Sequence, residues 1–223
     1  VKINRTKTIG FMCGRFTPLS NIEDLSARFG FTSGRTQILP DYNVAPEQQV
    51  LAVTDHEGNT RAEFMKWGLT PHWNTNHSKN LNFINARIET VNIKPSFESA
   101  FRYRRCLIIA NGFYEWDRNR NRSTPYYFQL EDGQPFAFAG IWNSWSDPQT
   151  DKMKSCAILT REAASPVISV HNRMPTIVPP ENEAKWTNGQ LNKASDIKKL
   201  LLDPSRKIME SWRVSNLVNY SQN

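Results

Sequence analysis

The sequence predicts an α+β fold: one domain with a curved antiparallel sheet or barrel-like core, flanked by helices. Three observations predict it. Short apolar runs of strand length recur along most of the chain, separated by Gly, Pro, Asn and Asp. Helical patterns are few and cluster at intervals. No internal repeat or low-complexity linker divides the 223 residues, and 39% hydrophobic content with 11% aromatics is enough for a core.

The elements follow in order. Ser20-Asn-Ile-Glu23 has the form of a capping box, and Leu25, Ala27, Arg28 and Phe29 continue it into a helix ending at Gly30. Gln49–Thr54 and Arg61–Trp67 read as strands joined by the turn His56-Glu-Gly-Asn59. A loop rich in Asn, Pro and His runs from Gly68 to Asn82. Phe83–Thr90 mixes apolar and polar residues without a clean period, as expected where side chains point into a site. Ser96–Arg105 is expected to be helical, with Phe97, Ala100, Phe101 and Arg104 on one face. Cys106–Ala110 is a buried strand leading into Asn111-Gly-Phe-Tyr-Glu-Trp116. A polar basic loop at Arg118–Arg122 precedes the strand Tyr126–Leu130. Asp132-Gly133 turns into a strand at Phe136–Trp142, and Ser155–Thr160 is a further one. Pro180–Trp186 and Ser195–Leu202 read as helices, the first after a Pro-Pro start.

Composition narrows the function. No run of about 18 apolar residues exists, so no membrane partner is expected. The basic stretch Val1–Gly10 lacks the apolar centre of a secretory signal. Residues 1–11 are expected to be an extension to a domain spanning 12–223: a propeptide, an upstream mis-start or an expression remnant. Cys13, Cys106 and Cys156 contain no C-x-x-C pair, so neither a metal site nor a disulfide framework is expected. The cysteines point to a reducing, cytoplasmic setting, nucleoid-associated if the source is bacterial. Lys and Arg outnumber Asp and Glu by 28 to 21, a balance that suits an anionic partner such as nucleic acid.

Several residues invite chemistry. Cys13 follows Met12. If translation starts at Met12 and that residue is removed, Cys13 gains a free α-amine, of pKa about 8, beside its thiol. Such a 1,2-aminothiol condenses with an aldehyde to a Schiff base, and the thiol then closes a thiazolidine ring. Glu115, between Tyr114 and Trp116, has the apolar surroundings that raise a carboxyl pKa and suit proton transfer; pairing with an arginine is the alternative. His171 lies in a Val-His-Asn-Arg-Met-Pro loop and could equally be solvated. Asn85 and Arg87, two apart on an extended segment, share a face able to hold a sugar-phosphate or simply to tie down a loop.

Met-Cys-Gly-Arg-Phe, Tyr-Asn-Val-Ala-Pro, Trp-Gly-Leu-x-Pro-x-Trp, Ile-Asn-Ala-Arg-x-Glu-Thr, Lys-Pro-Ser-Phe, Gly-Phe-Tyr-Glu-Trp and His-x-Arg-Met-Pro occur in this order. The series resembles the SOS-response-associated peptidase (SRAP) family, whose members process abasic sites in DNA. The resemblance runs from Met12 to about Val218. It implies one α+β domain with a positively charged channel for single-stranded DNA. No cofactor, a monomeric state and a role in the DNA-damage response alongside replication-fork proteins are also expected. By resemblance Cys13 is the crosslinking nucleophile, with Asn85, Glu115 and His171 completing the catalytic set. Arg15, Arg87 and Trp73 fall on DNA-contacting positions, and Phe16, Pro46 and Arg173 are further candidates.

The implied reaction is a covalent thiazolidine link to the ring-opened abasic sugar, with strand-cleaving lyase chemistry beside it and self-processing by peptide hydrolysis. The sequence departs from the family at the front, where residues precede Met12 and leave the Cys13 nitrogen an amide. Two other readings use the same residues: a cysteine peptidase on other substrates through Cys13, His171 and Asn85, and a non-covalent reader of damaged or modified DNA.

Overall fold

The computed structural model describes residues 13–32, 41–74, 81–117, 123–147, 150–202 and 209–220. The expected extension before Met12 and the basic loop at 118–122 lie outside these residues.

The apolar runs form a curved seven-stranded sheet. Strands β2 (Gln49–His56) and β3 (Asn59–Trp67) make a hairpin whose turn residues Glu57 and Gly58 have φ of 55° and 84°. Positive φ at both turn positions matches the twist of the flanking strands. Strands β5 (Arg105–Ala110), β8 (Phe136–Asp147) and β9 (Thr150–Glu162) extend the sheet, with β4 (Asn85–Arg87) and β10 (Arg173–Pro175) attached to β9. Its order is β10-β9-β3-β2-β5-β8, and β8 pairs again with β9, so the sheet curls back on itself. The β3–β9 seam has only the pairs Lys66↔Ser155 and Trp67↔Cys156, which leaves a curved sheet rather than a regular closed barrel. That seam and the β4–β9 pairing are parallel; the other pairings are antiparallel, as expected.

A second sheet of four antiparallel strands, in the order β1-β6-β7-β11, covers one face of the first. It comprises β1 (Arg15–Thr17), β6 (Gly112–Asp117), β7 (Thr124–Leu130) and β11 (Met209–Arg213). Val50, Ala52, Cys106, Ile108, Phe138 and Ile158 pack with Phe16, Phe113 and Phe128 of this sheet. The alternate residues Leu51, Val53, Leu107, Ile109, Ala139 and Leu159 pack with Leu25, Phe101 and Trp186 of the helices. Strands buried on both faces need apolar residues at every position, which is why Cys106–Ala110 reads as an unbroken apolar run.

The helices are shorter than the sequence suggests. Helix α1 (Ile22–Phe29) is capped by Asn21, whose side chain accepts from the Asp24 amide at 2.8 Å. Ser20, the expected cap, instead accepts from Asn111 Nδ2 at 3.0 Å. Gly30 ends the helix as expected, at φ 68° in the left-handed region. Helix α2 (Glu98–Tyr103) stops early because Arg105 already belongs to β5. Its buried guanidinium donates to the carbonyls of Phe101, Arg102, Trp186, Asn188 and Leu191, closing the ends of two helices. Burial lowers the Arg105 pKa to about 10. The stretch expected as one helix from Pro180 is a 3₁₀ turn, Pro180–Asn182, followed by α3 (Glu183–Thr187). Helix α4 spans Ala194–Lys199. Strand β11 and the 3₁₀ turn Asn216–Asn219 have mostly exposed residues and no apolar alternation for sequence reasoning to find.

Candidate active site

The site forms where β1 and β6 of the smaller sheet meet β4, β9 and β10 of the larger one. Phe16 anchors β1. It is 2% exposed, and its ring lies edge-on to Trp67 at 5.1 Å and to Phe138 at 5.7 Å. Phe16 was expected at the DNA; its side chain is placed in the core. The anchor fixes the residues just before it.

Cys13 is buried, with φ 47° in the left-handed region, and its backbone N–H donates to Glu115 Oε1 at 2.7 Å. Glu115 lies on β6, two residues from the core residue Phe113, so strand alternation turns it to the same interior face. Burial pushes the Glu115 carboxyl up, opposed by its hydrogen bonds from Cys13 and by His171. The Cys13 thiol is also pushed well up, first by burial and then by the Glu115 charge, with Arg173 opposing. A buried carboxyl with a raised pKa beside this nitrogen is placed to take or return a proton there.

His171 and Arg173 flank this pair from the loop entering β10. The Arg173 backbone N–H donates to His171 Nδ1 at 3.0 Å, and the Arg173 carbonyl lies 3.2 Å from the same nitrogen. The Arg173 guanidinium is bidentate on Glu89, at 2.6 and 2.9 Å, and donates to the Thr160 carbonyl at 2.7 Å. Those bonds hold the Glu89 carboxyl below its ordinary range. Glu89 and Thr160 were not singled out from the sequence. Glu89 had a signal in Ile-Asn-Ala-Arg-x-Glu-Thr, whereas Thr160 sits in an apolar strand and had none.

Asn85 and Arg87 lie two apart on β4 as expected, with buried Ala86 between them facing the core. Asn85 pairs with Ile158, and Arg87 pairs with Thr160, the residue that also accepts from Arg173. Strand β9 thus joins the Asn85–Arg87 half of the site to the His171–Arg173 half. Asn85 is half-buried and Arg87 exposed.

The remaining expected contacts are dispersed. Trp73 is 46% exposed in the loop after β3. Pro46 is half-buried in the turn before β2, where Glu47 has φ 73°. Arg15 points away from Glu115. It is 4% exposed and donates to Asn43 Oδ1 at 2.9 Å and to the Val218 carbonyl at 2.8 Å. Its guanidinium, expected at a phosphate, is occupied by these partners within the chain. Among the described residues no cluster of three or more His, Cys, Asp or Glu could hold a metal ion.

The family model for the SOS response associated peptidase (SRAP) matches residues 12–221. The chain belongs to the SRAP family. Among SRAP relatives, it is 36% identical over 217 residues to the abasic site processing protein YoaM of Bacillus subtilis, covering 95% of each chain. It is 35% identical to YoqW of the same organism, covering 95% of this chain and 96% of that one. Escherichia coli YedK, also called an abasic site processing protein, is 28% identical over 193 residues, covering 83% and 85%. In fold, a Bacteroides thetaiotaomicron protein superposes with a TM-score of 0.81 at 24% identity, covering 92% of this chain and 93% of that one. The SRAP fold is thus the α+β arrangement expected from the sequence.

Proposed function

We propose that this SRAP chain processes abasic sites in single-stranded DNA by covalent capture on Cys13, once the residues before it are removed. The observation that carries the reading is the Cys13 nitrogen 2.7 Å from a buried, raised-pKa Glu115. The names of the 36% and 35% identical relatives support the substrate class.

In this reading the freed amine, deprotonated by Glu115, adds to the C1′ aldehyde of the ring-opened sugar. Loss of water gives the imine. The Cys13 thiol then adds across the C=N bond, its proton passing to nitrogen, and the thiazolidine closes. Glu115 and His171 carry protons, and Asn85 orients the sugar or amine. Arg87, exposed on the neighbouring strand, contacts phosphate, and Trp73 stacks on a base or the duplex end. The imine also acidifies C2′, so β-elimination of the 3′-phosphate is a competing lyase path. A peptidase working through a Cys13 thiolate is less well supported, because burial and Glu115 both disfavour the thiolate.

The test compares a chain beginning at Cys13 with one confirmed by intact mass to retain Val1, on the same abasic oligonucleotide with borohydride. A heat-stable adduct is expected from the short form alone. An equally durable Cys13 adduct from the long form would overturn the free-amine mechanism.

A further inference from the structure

Strand β1 supplies the nucleophile's support yet has only three residues. It lies at the edge of its sheet, with three pairs to β6 and a bridge from Phe16 to Val44. So short an edge strand needs something more to hold its register. The side chain of Arg15, two residues after Cys13, reaches a separate segment of chain. Phe16 faces the core, so alternation places Arg15 and Thr17 on the other face of the sheet. On that face runs the segment 215–220. Arg15 Nη1 donates to Asn43 Oδ1 and the Val218 carbonyl, and Nη2 donates to the Asn219 carbonyl at 3.5 Å. Asn43 Nδ2 donates to the Tyr220 carbonyl at 2.8 Å and to the Val218 carbonyl at 3.2 Å. Trp116, the neighbour of Glu115, donates from Nε1 to Asn219 Oδ1 at 2.7 Å.

The segment buries little of itself: Leu217 is 62% and Tyr220 48% exposed. Polar bonds, rather than apolar burial, are what fasten it. Three of these bonds come from Arg15 on β1 and Trp116 on β6, the strands next to Cys13 and carrying Glu115, and Asn43 supplies the other two. We infer that Arg15 is a positioning residue, one that clasps segment 215–220 across the backs of β1 and β6 and so holds the Cys13 nitrogen against Glu115. The site is then incomplete without that segment, although the segment lies on the opposite face from Glu115. This rests on the reading of Cys13 and Glu115 as the reacting pair.

The two roles open to Arg15 predict different measurements. A phosphate contact, when lost, lowers affinity and reduces the slope of log affinity against log salt by about 1. A clasp, when lost, leaves that slope unchanged and slows adduct formation at saturating DNA. A displacement on the order of 1 Å is enough for a fall of up to about 100-fold. The proteins compared, all beginning at Cys13, are the wild type, Arg15→Ala, Arg15→Lys, a chain ending at Ser215, and the combination of that shortened chain with Arg15→Ala. The expected result is a slower rate at saturating DNA for Arg15→Ala and for the shortened chain, no further loss on combining them, partial recovery with Arg15→Lys, and one common salt slope. A reduced slope with an unchanged saturating rate in Arg15→Ala overturns the clasp.

Hydrogen exchange without DNA keeps the inference separate from the abasic reading. In Arg15→Ala and in the shortened chain, the amides of Phe16 and Val44, which bond each other's carbonyls, should exchange faster than in the wild type. Unchanged exchange there overturns the clasp whatever happens on DNA. Faster exchange in a protein whose wild type forms no adduct overturns only the abasic chemistry.

Discussion

At the scale of single residues, the decisive fact is the environment of Glu115. Its nearest described partner is a nitrogen rather than an arginine, which distinguishes it from the carboxylates of the Arg28–Glu183 and Arg173–Glu89 ion pairs of the same chain. Desolvation leads the forces on it, and its pKa rises. For an acid whose folded pKa exceeds the unfolded value near 4.3, the folded state holds its proton longer. The associated stability is present at low pH and is lost as pH climbs through the raised value. Replacement by Gln removes that loss. Glu115→Gln is therefore expected to flatten the fall in unfolding free energy above pH 4.3, measured by urea denaturation across pH, while abolishing adduct formation. A Glu115→Gln protein with the wild-type pH profile of stability would show that the carboxyl is not raised. The same variant separates burial, which acts on stability, from proton transfer, which acts on the adduct.

At the scale of elements, the sequence was most legible where period and punctuation agreed. The β2–β3 hairpin, the buried run of β5 and the end of α1 at Gly30 follow directly from alternation, apolar length and a left-handed glycine. The start of α1 was less legible because two residues compete for its cap. Ser20 and Asn21 both have a side chain able to accept an amide bond, and the competitor for Ser20 is Asn111, 91 residues away. No local pattern contains that partner. Asn21→Ala is expected to cost about 1 kcal/mol of unfolding free energy, as a lost helix cap does. Thermal or urea unfolding checks it, and an effect near zero would return the cap to Ser20. The site shows the same division. The shared strand of Asn85 and Arg87 was legible through their spacing, and the burial of Glu115 through its apolar flanks. The partners of Arg15 were not, because a motif records a residue type without recording which face of the strand it occupies. The carbonyls it serves belong to residues more than two hundred positions later.

At the scale of the molecule, β9 is what makes one site out of distant parts. It pairs with β3, β4, β8 and β10, so the Asn85–Arg87 strand and the His171–Arg173 strand hang on one central support. The smaller sheet brings Cys13 and Glu115 to that support through the shared aromatic core around Phe16, Phe113 and Phe138. The whole arrangement bears on the left-handed backbone at Cys13, whose φ of 47° is a torsion defined by the carbonyl carbon of the preceding residue. A residue with a side chain is held in that region at a cost of about 1–2 kcal/mol. The strain exists only while a peptide bond joins residue 12 to residue 13, and it disappears with that bond. Cys13→Gly relieves it in the long chain and has nothing to relieve in a chain that begins at residue 13. Gly lacks the thiol in both forms, so the packing loss cancels in the comparison. The substitution should therefore favour the long form over the short by about 1–2 kcal/mol in paired urea titrations; equal effects in both would remove the strain from the account. The peptide bond ahead of Cys13 thus carries a conformational cost that a chain beginning at that residue does not have.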